Sequence, residues 1–147
     1  MATIAKICLV FLNIVVFLFE EGWIIAMVAF FPFWLAIIFV TLLLSIFACI
    51  STYLSGLANV PPLLERWIER KKIKAEERLE KFVQSGLWFS FLATAIIVSP
   101  TLSAVMIQMS GIKGSKAYFS DVLLSFVSGV IWCFIYGGGI LILRGII

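Results

Sequence analysis

Apolar residues run along this chain in blocks, not in the alternation of a strand or the single stripe of a soluble helix. Ile4 to Phe19, Trp23 to Tyr53, Leu87 to Met109 and Val122 to Leu143 are nearly free of charge, and short polar stretches separate them. A helix rising 1.5 Å per residue needs blocks of about this length to cross a hydrocarbon core roughly 30 Å thick. Inside hydrocarbon every backbone N–H and C=O needs an internal partner, which leaves helices or a closed barrel. Barrel strands alternate apolar and polar residues, and these blocks do not. The pattern predicts an all-α integral membrane protein of about four transmembrane segments, with room for some to be broken or re-entrant. It divides the chain into an N-terminal membrane half (1–60), a charged amphipathic cytoplasmic helix (61–85) and a C-terminal membrane half (86–147).

The second block is too long for one straight crossing, at roughly 45 Å. Pro32 is its natural break, because proline lacks an N–H and clashes with the preceding turn. Two readings follow for the residues before it. One puts Glu20 and Glu21 in a short aqueous turn beside Gly22. The other makes Ile4 to Phe31 a broken or re-entrant unit with the glutamates at depth, and leaves the crossing to Phe33–Tyr53. The third block carries a second break at Ser99-Pro100. Pro100 frees a backbone carbonyl there, and Ser99, Thr101 and Ser103 are placed to help satisfy it. The first block resembles a signal peptide in having Lys6 before an apolar run. No small-residue cleavage site follows, so it is read as a retained anchor.

Composition supports the membrane assignment. Of 147 residues, 63% are hydrophobic and 13% charged, more apolar surface than a soluble domain of this size can hide. Charge concentrates between Pro61 and Gln84. There Leu64, Trp67, Ile68, Ala75, Leu79 and Phe82 share one side of a helix, and Arg66, Arg70, Lys71, Lys74 and Arg78 lie on the rest among glutamates. This reads as an amphipathic helix at the membrane surface, either touching anionic lipid and partners or serving as a solvated connector. The interleaved glutamates exclude a nucleic-acid patch. The stretch holds seven of the eleven Lys and Arg, and the positive-inside rule puts it in the cytoplasm. With four crossings both termini join it, leaving Lys113 and Lys116 outside.

Chemistry is sparse. The chain has no histidine and three separated cysteines, Cys8, Cys49 and Cys133. No catalytic set, metal site, cofactor motif or disulfide framework can be assembled, so an enzyme is not expected. Small residues recur every fourth position in Ser125–Gly129–Cys133–Gly137, in Thr41–Ser45–Cys49 and in Gly86–Ser90–Thr94, a spacing that lets helices pack closely. On the first stripe Gly129→Leu is expected to disrupt assembly, and Val130→Leu, off the stripe, is not. The run Gly137-Gly138-Gly139 points to a bend, a tight contact or a moving part. Ionisable groups at depth are expensive and usually functional, which makes Glu20 and Glu21 candidate proton-coupling groups and Pro32, Ser99, Pro100 and Thr101 candidate breaks lining a site.

The order of features is familiar. Glu20-Glu21-Gly22 precedes FPFWLA (Phe31 to Ala36). The Trp-containing charged stretch follows, then a turn at Ser85 to Leu87, the SPTLSA element (Ser99 to Ala104), a Gly-containing turn and a last crossing. Over most of the chain this order resembles the small multidrug export family, distant relatives of the DedA/VTT membrane proteins. The resemblance implies a transport-like fold with broken or re-entrant helices that handles lipids or amphiphiles. The leading expectation is therefore a small bacterial inner-membrane transport-type protein, proton-coupled and working as a homo-oligomer in the lipid bilayer. The alternative is a non-transporting accessory or scaffold subunit of a larger membrane complex. A transporter needs Pro32 and Pro100 close together near the midplane; an accessory subunit needs one adhesive face and no central polar break.

Overall fold

The computed structural model describes residues 1–59, 61 and 77–146. They form α1 (Ala2–Phe30), α2 (Phe33–Leu57), α3 (Glu77–Ile97), α4 (Pro100–Met109) and α5 (Ser115–Ile146), with no strand among them. Three of these helices, α1, α2 and α5, are long and apolar enough to cross a membrane. Their outer faces carry large exposed apolar side chains such as Ile4, Phe11, Leu18, Phe30, Trp34, Phe126 and Leu141, the surface that lipid covers and water does not tolerate. The expected amphipathic helix, with Arg66, Arg70, Lys71 and Lys74, lies outside the described residues, and Arg78 falls in the first turn of α3.

α1 runs unbroken through Glu20-Glu21-Gly22, so the expected aqueous turn is absent and α1 itself is not broken. Away from water, an open turn would leave backbone groups without partners, and continuing the helix satisfies them. The break comes at Pro32, as expected. Phe31 and Pro32 are extended, with ψ of 155° and 139°, since proline disfavours the α conformation in the residue before it. α1 and α2 then run antiparallel, with Ile24 packed among Val40, Leu44 and Cys133.

α2 and α5 pack antiparallel along nearly their full length. Thr52 meets Asp121, Thr41 meets Gly129 and Phe33 meets Gly137. The Ser125–Gly129–Cys133–Gly137 stripe is the α5 side of this contact, and Ser125 and Cys133 are fully buried. A Cβ on Gly129 would stand 2.8 Å from Thr41 Cγ2 and 3.3 Å from Thr41 Cα. Thr41 is held in place by its own hydroxyl, which donates to the Ile37 carbonyl at 2.8 Å. Gly137 meets the Phe33 ring at a similar distance, whereas Gly138 and Gly139 face open space. Of the three meanings allowed for the glycine run, the close contact applies at Gly137, and the helix continues through all three residues. Val130 is half-buried against the same core, so it is no neutral control.

Gly138 serves better. Gly129→Ala is expected to lower stability in detergent by about 1–3 kcal/mol through overpacking. Gly138→Ala should raise it by up to about 1 kcal/mol through helix propensity. Thermal unfolding of the two variants side by side checks this.

The other two stripes differ. Of Thr41–Ser45–Cys49, Thr41 meets Gly129 of α5. Ser45 and Cys49 line an open apolar groove with Tyr53, Tyr118 and Phe126. Gly86 and Ser90 are exposed on α3, and α3 runs straight through the turn expected at Ser85 to Leu87.

α4 folds back along α3. In one continuous helix Thr94 and Met106 would be about 18 Å apart. Instead Thr94 Oγ1 lies 3.4 Å from Met106 Sδ, and Ser103 Oγ donates to the Phe91 carbonyl at 2.9 Å. Phe91, Ala95 and Ile107 share one core with Ala117 and Leu124 of α5. The pair is a helical hairpin with Val98 and Ser99 at its tip. The apolar part of α3, Gln84–Ile97, and the ten residues of α4 extend only about 21 Å and 15 Å. A short link with Gly111 and Gly114 at positive φ leads into α5.

Candidate functional site

The hairpin tip is a break in helical hydrogen bonding, and its freed groups can be followed one at a time. Pro100 has no N–H to give the carbonyl of Ile96, four residues earlier. Trp132 of α5 supplies that bond, Nε1 donating to Ile96 O at 2.8 Å. Val98 N and Ser99 N both turn to Thr94 O, each at 3.0 Å. That leaves Ala95 O, which Ser128 Oγ of α5 satisfies at 2.8 Å. Ser99 is extended and caps α4, its Oγ accepting from Thr101 N at 3.1 Å and lying 2.6 Å from Thr101 Oγ1. The sequence reading gave the freed carbonyl to Ser99, Thr101 and Ser103; α5 performs that task, and Ser99 and Thr101 serve the N-terminus of α4 instead. Trp132→Phe leaves Ile96 O unpartnered in an apolar setting. The expected loss is about 1 kcal/mol of stability, with faster proteolysis or hydrogen exchange localised to residues 94–101.

Glu20 meets this tip from α1. It shares a cleft of about 30 Å³ with Phe17, Ile24, Ile97, Val98 and Trp132, enough for about one or two water molecules. The Ser99 hydroxyl lies beside the carboxylate, while Oε2 is buried with no partner. A chain of polar groups thus runs from Thr101 through Ser99 to Glu20. Tyr136, stacked on Trp132 with ring centres 5.2 Å apart, lies within electrostatic reach of both glutamates. Glu21 is exposed and lines the same cleft. On its other side Glu20 borders an apolar cleft of about 260 Å³ walled by Val16, Phe19, Trp23, Val40, Leu44 and Phe47.

The depth of the site follows from its neighbours. Val40 and Leu44, beside Glu20, lie near the middle of α2, and Ser128 and Trp132, at the tip, lie near the middle of α5. Pro32 is elsewhere. It is exposed at the α1–α2 link, while Pro100 is buried. Ser51 Oγ donates to the Thr101 carbonyl next to Pro100 at 3.0 Å, and Ser51 is 19 residues beyond Pro32, roughly 28 Å along α2. The two breaks therefore do not face each other. The structure brings Glu20, Ser99, Pro100 and Thr101 together and leaves Pro32 out.

Sequence reasoning missed two participants. Trp132 reads as one more apolar residue of the last block. Asp121 reads as the end of a polar loop, yet it sits inside α5, 2% exposed, accepting a hydrogen bond from Thr52. Its signal was its spacing: it extends the Ser125–Gly129–Cys133–Gly137 stripe by one turn. Comparison with known proteins finds no matching family model, no match among curated proteins and none among solved structures, so the site is read from its own geometry.

Proposed function

We propose that this chain is a membrane transport-type protein in which Glu20 exchanges protons at the tip of a re-entrant hairpin. One observation carries the reading: a carboxylate with an unpartnered oxygen stands at mid-depth beside a helix discontinuity. Such discontinuities form substrate and ion sites in transporters, and ionisable groups are kept at that depth for function. The apolar cleft ending on Glu20 supports an amphiphilic substrate, its body in the cleft and its polar head at the carboxylate. This agrees with the family the sequence order resembles.

The same proposal sets the topology as three crossings and one hairpin that enters and leaves on one side. The start of α1, the charged stretch between α2 and α3, and the link before α5 then share the cytoplasmic side. Lys6, the seven central basic residues, Lys113 and Lys116 make ten there, against Arg144 alone on the other side. The four-crossing arrangement gives nine against two, so the positive-inside rule favours the hairpin. It also moves the end of α5 out of the cytoplasm, away from the expectation of two cytoplasmic termini. The membrane is then the bacterial inner membrane.

Glu21 favours a second element in the reading. Glu21 lines the cleft of Glu20 and is itself exposed; an open carboxylate at mid-depth is costly in lipid, so a second copy or another subunit covers it. Proteoliposomes holding a pH-sensitive dye test the proposal. An imposed pH gradient is expected to drive proton flux through the wild type, stimulated by a cationic amphiphile. Glu20→Gln should abolish the stimulated flux, and Glu21→Gln should retain it. Equal flux in the wild type and both variants would reject Glu20 as the carrier and favour the accessory-subunit reading.

A further inference from the structure

Glu20 is half-buried; a second carboxylate, Asp121, is fully buried in a different setting. Asp121 and Ser125 lie one turn apart on α5 and share a face. Both are nine-tenths or more buried, at 2% and 0% exposure. Asp121 Oδ2 accepts from the Thr52 hydroxyl, but Oδ1 has no partner, and Ser125 Oγ has none either. The two orphaned oxygens are on residues of one helix face and do not hydrogen-bond each other.

The surrounding hydroxyls are oriented alike. Ser51 donates to Thr101 O at 3.0 Å, Ser55 to Ser51 O at 2.7 Å and Ser120 to Lys116 O at 2.7 Å. Their protons are directed at carbonyls, which leaves oxygen lone pairs available to the α2–α5 interface. No lysine or arginine among the described residues pairs with Asp121, whose hydrogen bonding rests on Thr52 alone.

We propose that Asp121, Ser125 and Thr52 form a site for an alkali cation of sodium size, separate from Glu20. A cation held by oxygens at about 2.4 Å would give both orphaned oxygens a partner. All the ligands are hard oxygens, which suit such ions and not the softer transition metals. One carboxylate balances a single positive charge. No group of three or more His, Cys, Asp or Glu side chains occurs among the described residues, which weighs against a divalent ion. The site ties α2 to α5 and, through Ser51 and Thr101, to the base of α4, so occupancy is positioned to bias the hairpin.

The test uses the full chain in detergent with radioactive sodium as the probe and choline as the replacement salt. Wild type is expected to bind sodium saturably, with displacement by unlabelled sodium and not by choline. Asp121→Asn should lose binding, Ser125→Ala and Thr52→Val should each weaken it about tenfold, and Glu20→Gln should leave it unchanged. If Asp121→Asn does not fold, the Ser125 and Thr52 variants decide alone, each first shown to elute as the wild type does. Absence of saturable sodium binding in the wild type, or equal affinity in wild type, Ser125→Ala and Thr52→Val, overturns the site. Loss of binding in Glu20→Gln with retention in Asp121→Asn would move the cation to the hairpin tip. Proton flux through Glu20 is read in a separate assay, so failure of the cation site and failure of the proton carrier are distinguishable.

Discussion

In a cysteine-free background, Ser115→Cys is expected to stay unlabelled when intact cells meet an impermeant thiol reagent, and Gly145→Cys to be labelled. Ser115 opens α5 after the link that follows the hairpin, and Gly145 lies in its last turn. If α3 and α4 entered from one side and left by the other, both outcomes would reverse, so the result is binary. The geometry behind the expectation is specific. Thr94 touches Met106 and Phe91 accepts from Ser103, pairings that a through-going segment cannot make. Thr52 beside Asp121 also puts the end of α2 and the start of α5 at the same level, with the hairpin returning to it. Cys133 is fully buried, so the background should use Cys133→Ala, the change that adds no volume next to Gly129 and Gly137. Labelling after permeabilisation checks that Ser115→Cys is reactive at all.

The breaks at Pro32 and Pro100 were legible because proline's missing N–H acts locally, whatever the tertiary structure. What each break becomes was not legible. At Pro32 the chain turns between two full-length helices, and at Pro100 it doubles back on the helix before it. The difference lies in Trp132 and Ser128, which meet the freed carbonyls from a helix more than thirty residues away. The small-residue stripe on α5 was readable from spacing alone, because close approach needs small side chains on one face. Its counterpart on α3 has the same spacing, but Gly86 and Ser90 face outward and only Thr94 reaches α4; spacing does not say which face finds a partner. Glu20-Glu21-Gly22 looked like a turn by the habits of soluble chains. In an apolar setting the helix continues through it, since an open backbone costs more there than one glycine. Asp121 was lost to the same habit, being counted with the polar link that precedes it.

Replacing Glu20 by an apolar residue is expected to stabilise the fold while abolishing proton movement. Oε2 of Glu20 is buried without a partner, and a buried polar atom lacking a hydrogen bond costs about 1–3 kcal/mol. Glu20→Met removes that atom and keeps a flexible apolar stem for the cleft shared with Ile24, Ile97 and Trp132. Ser99 loses its contact with the carboxylate, but its hydroxyl retains Thr101 Oγ1 at 2.6 Å and the Thr101 N–H at 3.1 Å, so the tip stays capped. The balance favours the variant by roughly 1–2 kcal/mol, a rise of about 2–8 °C in melting temperature for a chain of this length. Residues held at a cost are a mark of function, because the folded state gains nothing by keeping them. Thermal unfolding followed by tryptophan fluorescence reads the effect, with Glu21→Met as the comparison. A melting temperature lowered by Glu20→Met, with Glu21→Met unchanged, would make Glu20 a structural anchor of the hairpin tip and remove it as the proton carrier. A raised melting temperature together with lost flux in the same variant would place Glu20 among groups retained for what they do.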